Sequence, residues 1–552
     1  MQVRVISPLE KVFADENLQA RQVTAFSGFQ NECISFQLAV CGDESTHTMP
    51  LSLRAESTLA EHIRIRSVRS VPVRLAAPVN ADDNYLRKTP GLYPDLLRDI
   101  IPDDPSGDLF GYAGQWQCFW IDVEPEGFAA GEYPVHLTVY NKLTGAELAK
   151  ASAQITVLPG MLPKQSLKRT SWFHSDCLAQ YYGVEVFSEE YWRIVENFVS
   201  CAAKRGYNML LTPLFTPPLD TQVGGERLTV QLVDVTVRSG EYAFGFEKFR
   251  RWVRLAQRCG MEYFEMSHLF TQWGAKHAPK IMAEADGVCK RIFGWETEAT
   301  SEAYARFLRC FLPRLMEEIK GLGIKEKTYF HISDEPRAEM MDDYRAARAL
   351  VAPYVEDCVI MDALSDYAFY ASGAVTHPIP AINHMDPFLE NKVPDLWTYY
   401  CVSQYKDVTN LFIAMPSPRT RMLGVQLYKY DLAGFLQWGF NFYNSFWSTH
   451  SIDPYHTTDA DGRFPAGDPL QVYPGRGGMP EESVRLMVLH QAMQDLRALR
   501  WLESLIGREK TLNILQECAK GELTLTAYPK EGEFFERLRG RINAEIIAKT
   551  QM

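Results

Sequence analysis

A chain of 552 residues, 46% apolar and 12% aromatic, is too long for one ordinary core and too apolar to be disordered, so two or three domains are expected. The formal net charge is −12 with no Lys/Arg block, which excludes a polyanion binder and makes nucleic acid a poor partner. No window holds about 18 consecutive apolar residues, so no membrane span is expected. The opening stretch "MQVRVISPLEKVFADENLQA" has no long apolar segment and reads as a first strand. The 11 cysteines, an odd number without a CxxC pair, lie mostly in apolar runs and fit reduced thiols. Both features point to a cytoplasmic protein.

Residues 1 to 160 read as an all-β sandwich. Short alternating runs ("VRVISP", "ECISFQLAV", "LSLRAE", "SVPVRL", "QCFWIDVEP", "YPVHLTVYN", "AQITVLP") are separated by Gly/Pro/Asp turns. "PGMLPKQS" then reads as a linker. From 166 to 480 short apolar strands alternate with amphipathic helices. The first helix starts after Ser188, with Tyr191, Ile194, Val195, Phe198 and Ala202 on one face and Glu189 and Glu190 in its positive first turn. Eight strands over such a length suit a (β/α)8 barrel. An open doubly wound sheet is the competitor, but no GxGxxG follows the first strand. Residues 481–552 are expected to form a helical extension packed on the barrel, too short for a core of its own.

Chemistry in a barrel sits at the carboxyl ends of the strands. Those ends here are polar or aromatic: His174, Thr212, His268, Asp334 with Glu335, Asp362, Asn383 with His384, Tyr399 and Asn441. The adjacent acids in "YFHISDEPRAEM" stand out. Most glycosidases use two carboxyls flanking the scissile bond, a poor fit to neighbouring residues. Adjacent acids suit substrate assistance better: one carboxylate orients a 2-acetamido group whose oxygen attacks the sugar, and the other is general acid and then base. Mutual repulsion would keep one of the pair protonated near neutral pH. The bland alternative is a helix start, with Ser333 or Asp334 as cap and Pro336 in the first turn. A metal site from His331, Asp334, Glu335, His384 and Asp386 is a further alternative, although HxH and HxxxH spacings are missing. No G-x-S-x-G marks a serine hydrolase, and "GRGGMP" and "QVGGERL" lack the ending of a phosphate loop.

Aromatic faces and polar side chains around such a pair would bind sugar. The candidates are Trp172, His174, His268, Trp273, Asp362, Asn383, Tyr399, Trp438, Asn441 and Trp447, with core packing as the ordinary role of any single tryptophan.

"HISDEP" at a fourth barrel strand resembles glycoside hydrolase family 123, the β-N-acetylgalactosaminidases. Before it, "HLFTQWGAKHAP" resembles a loop after the third strand that helps shape that family's pocket; after it, "DLWTYYC", "RMLGVQLYKYDLAGFLQWGFNFY" and "DPLQVYPGRGGMPEESVRLMVLHQAMQDLRAL" are similar to the family's later motifs in order and spacing. The resemblance implies an amino-terminal β-sandwich before a catalytic barrel. It implies a retaining glycosidase that releases β-linked N-acetylgalactosamine or N-acetylhexosamine through an oxazolinium. Asp334 would hold the acetamido group and Glu335 would be acid/base, with no metal and no nucleotide cofactor. The partner is then a carbohydrate bearing a 2-acetamido group. A non-catalytic sugar-binding barrel is the alternative from another class.

Overall fold

The computed structural model describes residues 1–101 and 104–550. Among the described residues the N-terminal part forms two five-stranded sheets. One runs, in spatial order, Gln2–Ile6, Ile34–Cys41, Trp116–Val123, Ile63–Val73 and Gly91–Asp99, all antiparallel. The other runs Ala25–Phe29, Glu147–Leu158, Gly131–Asn141, Met49–Glu56 and Leu109–Gly111; Ala25–Phe29 alone pairs in parallel. Alternation explains the packing. Phe36, Leu38 and Val40, two apart on one strand, meet Val135, Leu137 and Val139 of the facing sheet in one buried core. Ala25–Phe29, Gly91–Asp99 and Leu109–Gly111 are strands that the alternation did not reveal.

The barrel strands, numbered one to eight, are Lys168–Ser171, Met209–Thr212, Tyr263–Met266, Thr328–Phe330, Val359–Ala363, His377–Ile379, Trp397–Tyr400 and Gly434–Gln437. They neighbour one another in chain order and pair in parallel. Strands six and seven meet through an isolated bridge, Ala381 to Tyr399, with the Tyr399 N–H donating to the Pro380 carbonyl at 3.2 Å. That bridge nearly closes the ring, so the fold is a parallel barrel and not an open doubly wound sheet.

Period-two alternation sets what each strand aims inward. Met209, Leu211, Tyr329, Met361, Ala363, Trp397, Tyr399 and Leu436 fill the barrel interior. Leu210, Phe330, Ile360, Tyr400 and Phe435, one residue out of phase, pack against the helices. Gly434 makes room for this interior, because a Cβ there would lie 2.1 Å from the Trp397 ring.

The helices form as their sequence dictates. In Glu189–Lys204 the Ser188 Oγ accepts the Tyr191 N–H at 3.2 Å, and Tyr191, Ile194, Val195, Phe198 and Ala202 are buried. Val484–Ile506 packs on Ser417–Lys429 so closely that a Cβ on Gly424 would sit 2.0 Å from the Ala492 carbonyl oxygen. Arg508–Ala519 and Glu533–Thr550 then lie against Val484–Ile506. The excursions after strands two and three are more ordered than the sequence suggested. Asp234–Arg238, Glu241–Gly245, Ile281–Ala285 and Val288–Phe293 join into one four-stranded sheet among the described residues.

Charge stitches the sandwich to the barrel. Glu482, just before the long helix, binds Arg66 from the sandwich and Arg205 from the barrel, and Arg66 also binds Asp122. Arg485 grips Asp95 through two bonds of 2.9 Å. Among the described residues no helix is long and apolar enough to cross a membrane.

Candidate active site

Strand four ends at Phe330, and the inward phase continues through His331 to the acid pair. The segment is pinned on both sides. Ser333 Oγ donates to the Thr271 carbonyl at 3.0 Å and accepts the Ala275 N–H at 3.1 Å. The Trp273 N–H donates to the Asp334 carbonyl at 2.9 Å, and the Glu335 N–H donates to the Ala363 carbonyl at 3.0 Å. Glu335 itself has φ +43, a left-handed backbone that costs a non-glycine residue about 1–2 kcal/mol. The helix-start alternative therefore falls. Ser333 is engaged by the loop after strand three, and the next helix begins only at Met341, after a short 3-10 turn over Ala338–Met340.

A buried network underlies the pair. On strand three, Glu265 accepts from Thr170 Oγ1 at 2.6 Å, from Trp172 Nε1 at 2.7 Å and from His331 Nε2 at 2.6 Å. Asp362 at the end of strand five faces His331 Nδ1 at 3.3 Å and accepts the Ile332 N–H at 3.0 Å and the Tyr344 hydroxyl at 2.6 Å. Burial pulls the His331 pKa down, but its bonds to Asp362 and Glu265 outweigh burial and carry it up to about 10. His331 is thus an imidazolium clamped between two carboxylates. Burial, and then the charge of Glu335, raise the Asp334 carboxyl well above the usual range. Tyr399 donates to Glu335 Oε1 at 2.6 Å, and burial beside that carboxylate keeps its phenol protonated.

Above the pair lies an inner cavity of about 220 Å³, opening past Glu335, Trp273 and Tyr399 into an outer hollow of about 770 Å³. Trp172, Trp273, Tyr399 and Trp438 line the inner cavity together with Asp334 and Glu335. Trp438 is held by its Nε1, which donates to Asp468 Oδ2 at 2.7 Å.

The other candidates sit elsewhere. Asn441 spends its amide on the His174 backbone, accepting its N–H at 2.9 Å and donating to its carbonyl at 3.0 Å. His174 in turn faces Arg227 and the Trp438 carbonyl. Both residues brace the strand-one and strand-eight loops and lie outside the cavity lining. His268 is buried below the cavity and stacks on His331 with ring centroids 4.4 Å apart. Asp362 lies beneath the pair. Asn383 is exposed in the turn after strand six, accepting from Gln404 Nε2 at 3.0 Å. Trp447 stands at the rim, stacked on Phe446, which does line the cavity. The expected strand ends were displaced as well: strands six and eight stop at Ile379 and Gln437, so Asn383 and Asn441 lie in the loops beyond them, and the sequence did not reveal the direction of these side chains. Glu265, Asp220 and Gln272 were missed. A lone acid inside the apolar run "YFEM" was the available signal for Glu265; the other two lie in loops without periodicity.

The metal-ligand set read from the sequence is not assembled, since His384 and Asp386 are exposed on the turn after strand six. Among the described residues one metal-like cluster exists, His268, His331 and Asp362, with ligand atoms within 4.8 Å. It does not fit a cation, because an imidazolium bonded at both nitrogens has no lone pair to give.

A parallel barrel with a carboxyl pair and an aromatic wall at the carboxyl end of its strands has the layout of a glycoside hydrolase, an enzyme whose substrates are carbohydrates. The model of the glycoside hydrolase 123 catalytic domain matches residues 172–502. The chain belongs to glycoside hydrolase family 123. Its fold is similar to that of a family 123 glycoside hydrolase from Clostridium perfringens, studied for glycolipid glycan hydrolysis, with TM-score 0.74 and 15% identity over 100% of both chains. A Ruminococcus gnavus β-glucuronidase is far less similar, with TM-score 0.32 and 8% identity over 88% of this chain and 91% of that one. No curated protein sequence matches.

Proposed function

We propose that this glycosidase is a retaining, exo-acting β-N-acetylhexosaminidase that favours N-acetylgalactosamine on oligosaccharides or glycoconjugates and works by substrate assistance. The observation that carries the reading is the adjacency of Asp334 and Glu335 at one strand end, both lining a cavity sized for a single sugar. Asp334 orients the acetamido N–H. The acetamido oxygen attacks C1 and closes an oxazolinium while Glu335 protonates the leaving oxygen. Water then opens the ring as Glu335 takes its proton, and the β configuration returns. Tyr399 occupies Oε1 of Glu335, which leaves Oε2 to carry the proton. Burial and the charge of Glu335 raise the Asp334 carboxyl, so the adjacent pair resists carrying two negative charges at once. An inner cavity of about 220 Å³, with Trp438, Phe446 and Phe464 in its lining, supports exo action. The Clostridium relative's link to glycolipid glycans supports a glycoconjugate substrate.

The test compares nitrophenyl β-N-acetylgalactosaminide with the plain nitrophenyl β-galactoside. Substrate assistance expects turnover of the acetamido sugar and at most traces with the plain one. Equal turnover would overturn it and make Asp220, which lines the same cavity, the partner carboxyl of a two-carboxyl mechanism.

A further inference from the structure

The inner cavity has a second polar patch that the acid pair does not use. Asp220, on the loop after strand two, and Gln272, on the loop after strand three, both line it. Gln272 is 6% exposed. Its Oε1 accepts the Asp220 N–H at 2.8 Å, while its buried Nε2 finds no protein partner. A buried donor left unmatched costs about 1–3 kcal/mol, so a ligand oxygen would relieve it. The Asp220 carboxylate accepts the Trp447 N–H at 3.2 Å and has acceptor capacity left over. Its backbone is fixed by Ser448 Oγ, which donates to its carbonyl at 2.9 Å. The nearby Arg227 is spent on Asp176, which it binds at 2.8 and 2.7 Å.

These groups share one lining. Glu335 and Tyr399 also line the outer hollow; the Asp334 carbonyl accepts the Trp273 N–H, Gln272 precedes Trp273, and the Asp220 N–H donates to Gln272. A pyranose with C1 at Glu335 and its C2 substituent at Asp334 has O3 and O4 left to bind, and Gln272 and Asp220 are the amide and the carboxyl of that lining which the acid pair leaves unused. We propose that Gln272 and Asp220 bind the 3- and 4-hydroxyls of the ring, Nε2 donating and the carboxylate accepting, and that Asp220 selects the C4 configuration and rejects a 4-O-sulfate. This inference rests on the acetamido reading of the acid pair.

Galacto and gluco sugars differ only at C4, and a site that hydrogen-bonds a hydroxyl discriminates far more sharply than an apolar wall. The inner lining contains no Lys or Arg, so a sulfate there would meet the Asp220 charge with no cation to balance it.

The experiment measures kcat/KM of the wild-type chain, Asp220→Asn and Gln272→Ala on three nitrophenyl β-glycosides: N-acetylgalactosaminide, N-acetylglucosaminide and 4-O-sulfo-N-acetylgalactosaminide. Asp220→Asn should lose about 10- to 100-fold on the neutral galacto sugar, bring the epimer ratio about tenfold nearer to one, and gain activity on the sulfate ester. Gln272→Ala should lose about tenfold on both neutral epimers. Folding of each variant is checked by its melting curve and its circular dichroism spectrum. An unchanged epimer ratio in folded Asp220→Asn overturns the proposal. So does a loss of about 10⁴ or more on every substrate, which would make Asp220 a reacting group. If the wild-type enzyme cleaves the plain galactoside equally well, the acid-pair reading fails; the C4 ratio is then read on plain galactoside and glucoside, so the two failures separate.

Discussion

Glu335 shows how one residue is set in place for the acid role proposed for it. Its left-handed backbone turns it off the strand, the Ala363 carbonyl holds its N–H, and Tyr399 takes one of its oxygens. Its neighbour is tied to the same backbone but has a different task, and kinetics can divide the two. Glu335→Gln should lose about 10²-fold or more on substrates with poor leaving groups, yet form the intermediate almost normally from dinitrophenyl glycosides. Asp334→Asn should lose activity on acetamido sugars whatever the leaving group. Equal losses of Glu335→Gln on good and poor leaving groups would argue against its role as acid. The sequence singled out these two residues because adjacency narrows the chemistry, and both line the inner cavity. It left Asn441 and His174 misread, because each is spent on the other's loop, and nothing in a strand-end pattern reveals where a side chain's hydrogen bonds go.

At the scale of the element, the ends of strands three, four and five form one charged layer built from Glu265, His331 and Asp362. The strands themselves could be read from alternation and length, and so could the barrel. The layer could not, because its members are 66 and 31 residues apart and meet only after the strands pair in register. Its electrostatics make a pH-dependent claim. The His331 pKa rises from 6.5 to about 10 on folding. A raised pKa contributes stability that is complete below pH 6.5 and drains away as pH rises through about 10. Urea midpoints of the wild-type chain should therefore fall between pH 7 and pH 10 more steeply than those of His331→Gln. The substitution itself should cost about 3–5 kcal/mol at pH 7, since it leaves two buried carboxylates without their cation. Parallel pH profiles for the two proteins would sink this account.

Across the whole molecule, the sandwich is held to the barrel by buried charge. Arg66 and Glu482 are 416 residues apart in sequence, and no local pattern announces that they meet. Burial alone would raise the Glu482 carboxyl, but Arg66 and Arg205 together hold it well below the usual range. A depressed pKa contributes stability that is present above pH 4.5 and lost as pH falls, so acid should weaken this seam. Glu482→Gln should lower the unfolding free energy by about 3–5 kcal/mol, because Arg66 and Arg205 stay buried without their shared partner. A melting curve superimposable on that of the wild-type chain would show that the seam does not depend on it. A seam of another kind lies between strands six and seven, where Ala381 and Tyr399 form the bridge that nearly closes the barrel. The Tyr399 amide hydrogen can trade for deuterium only when that bridge parts, and the same side chain's hydroxyl rests on Glu335. One amide's exchange clock thus counts the breathing of the whole ring, and a ligand that settles against Glu335 would slow its ticking.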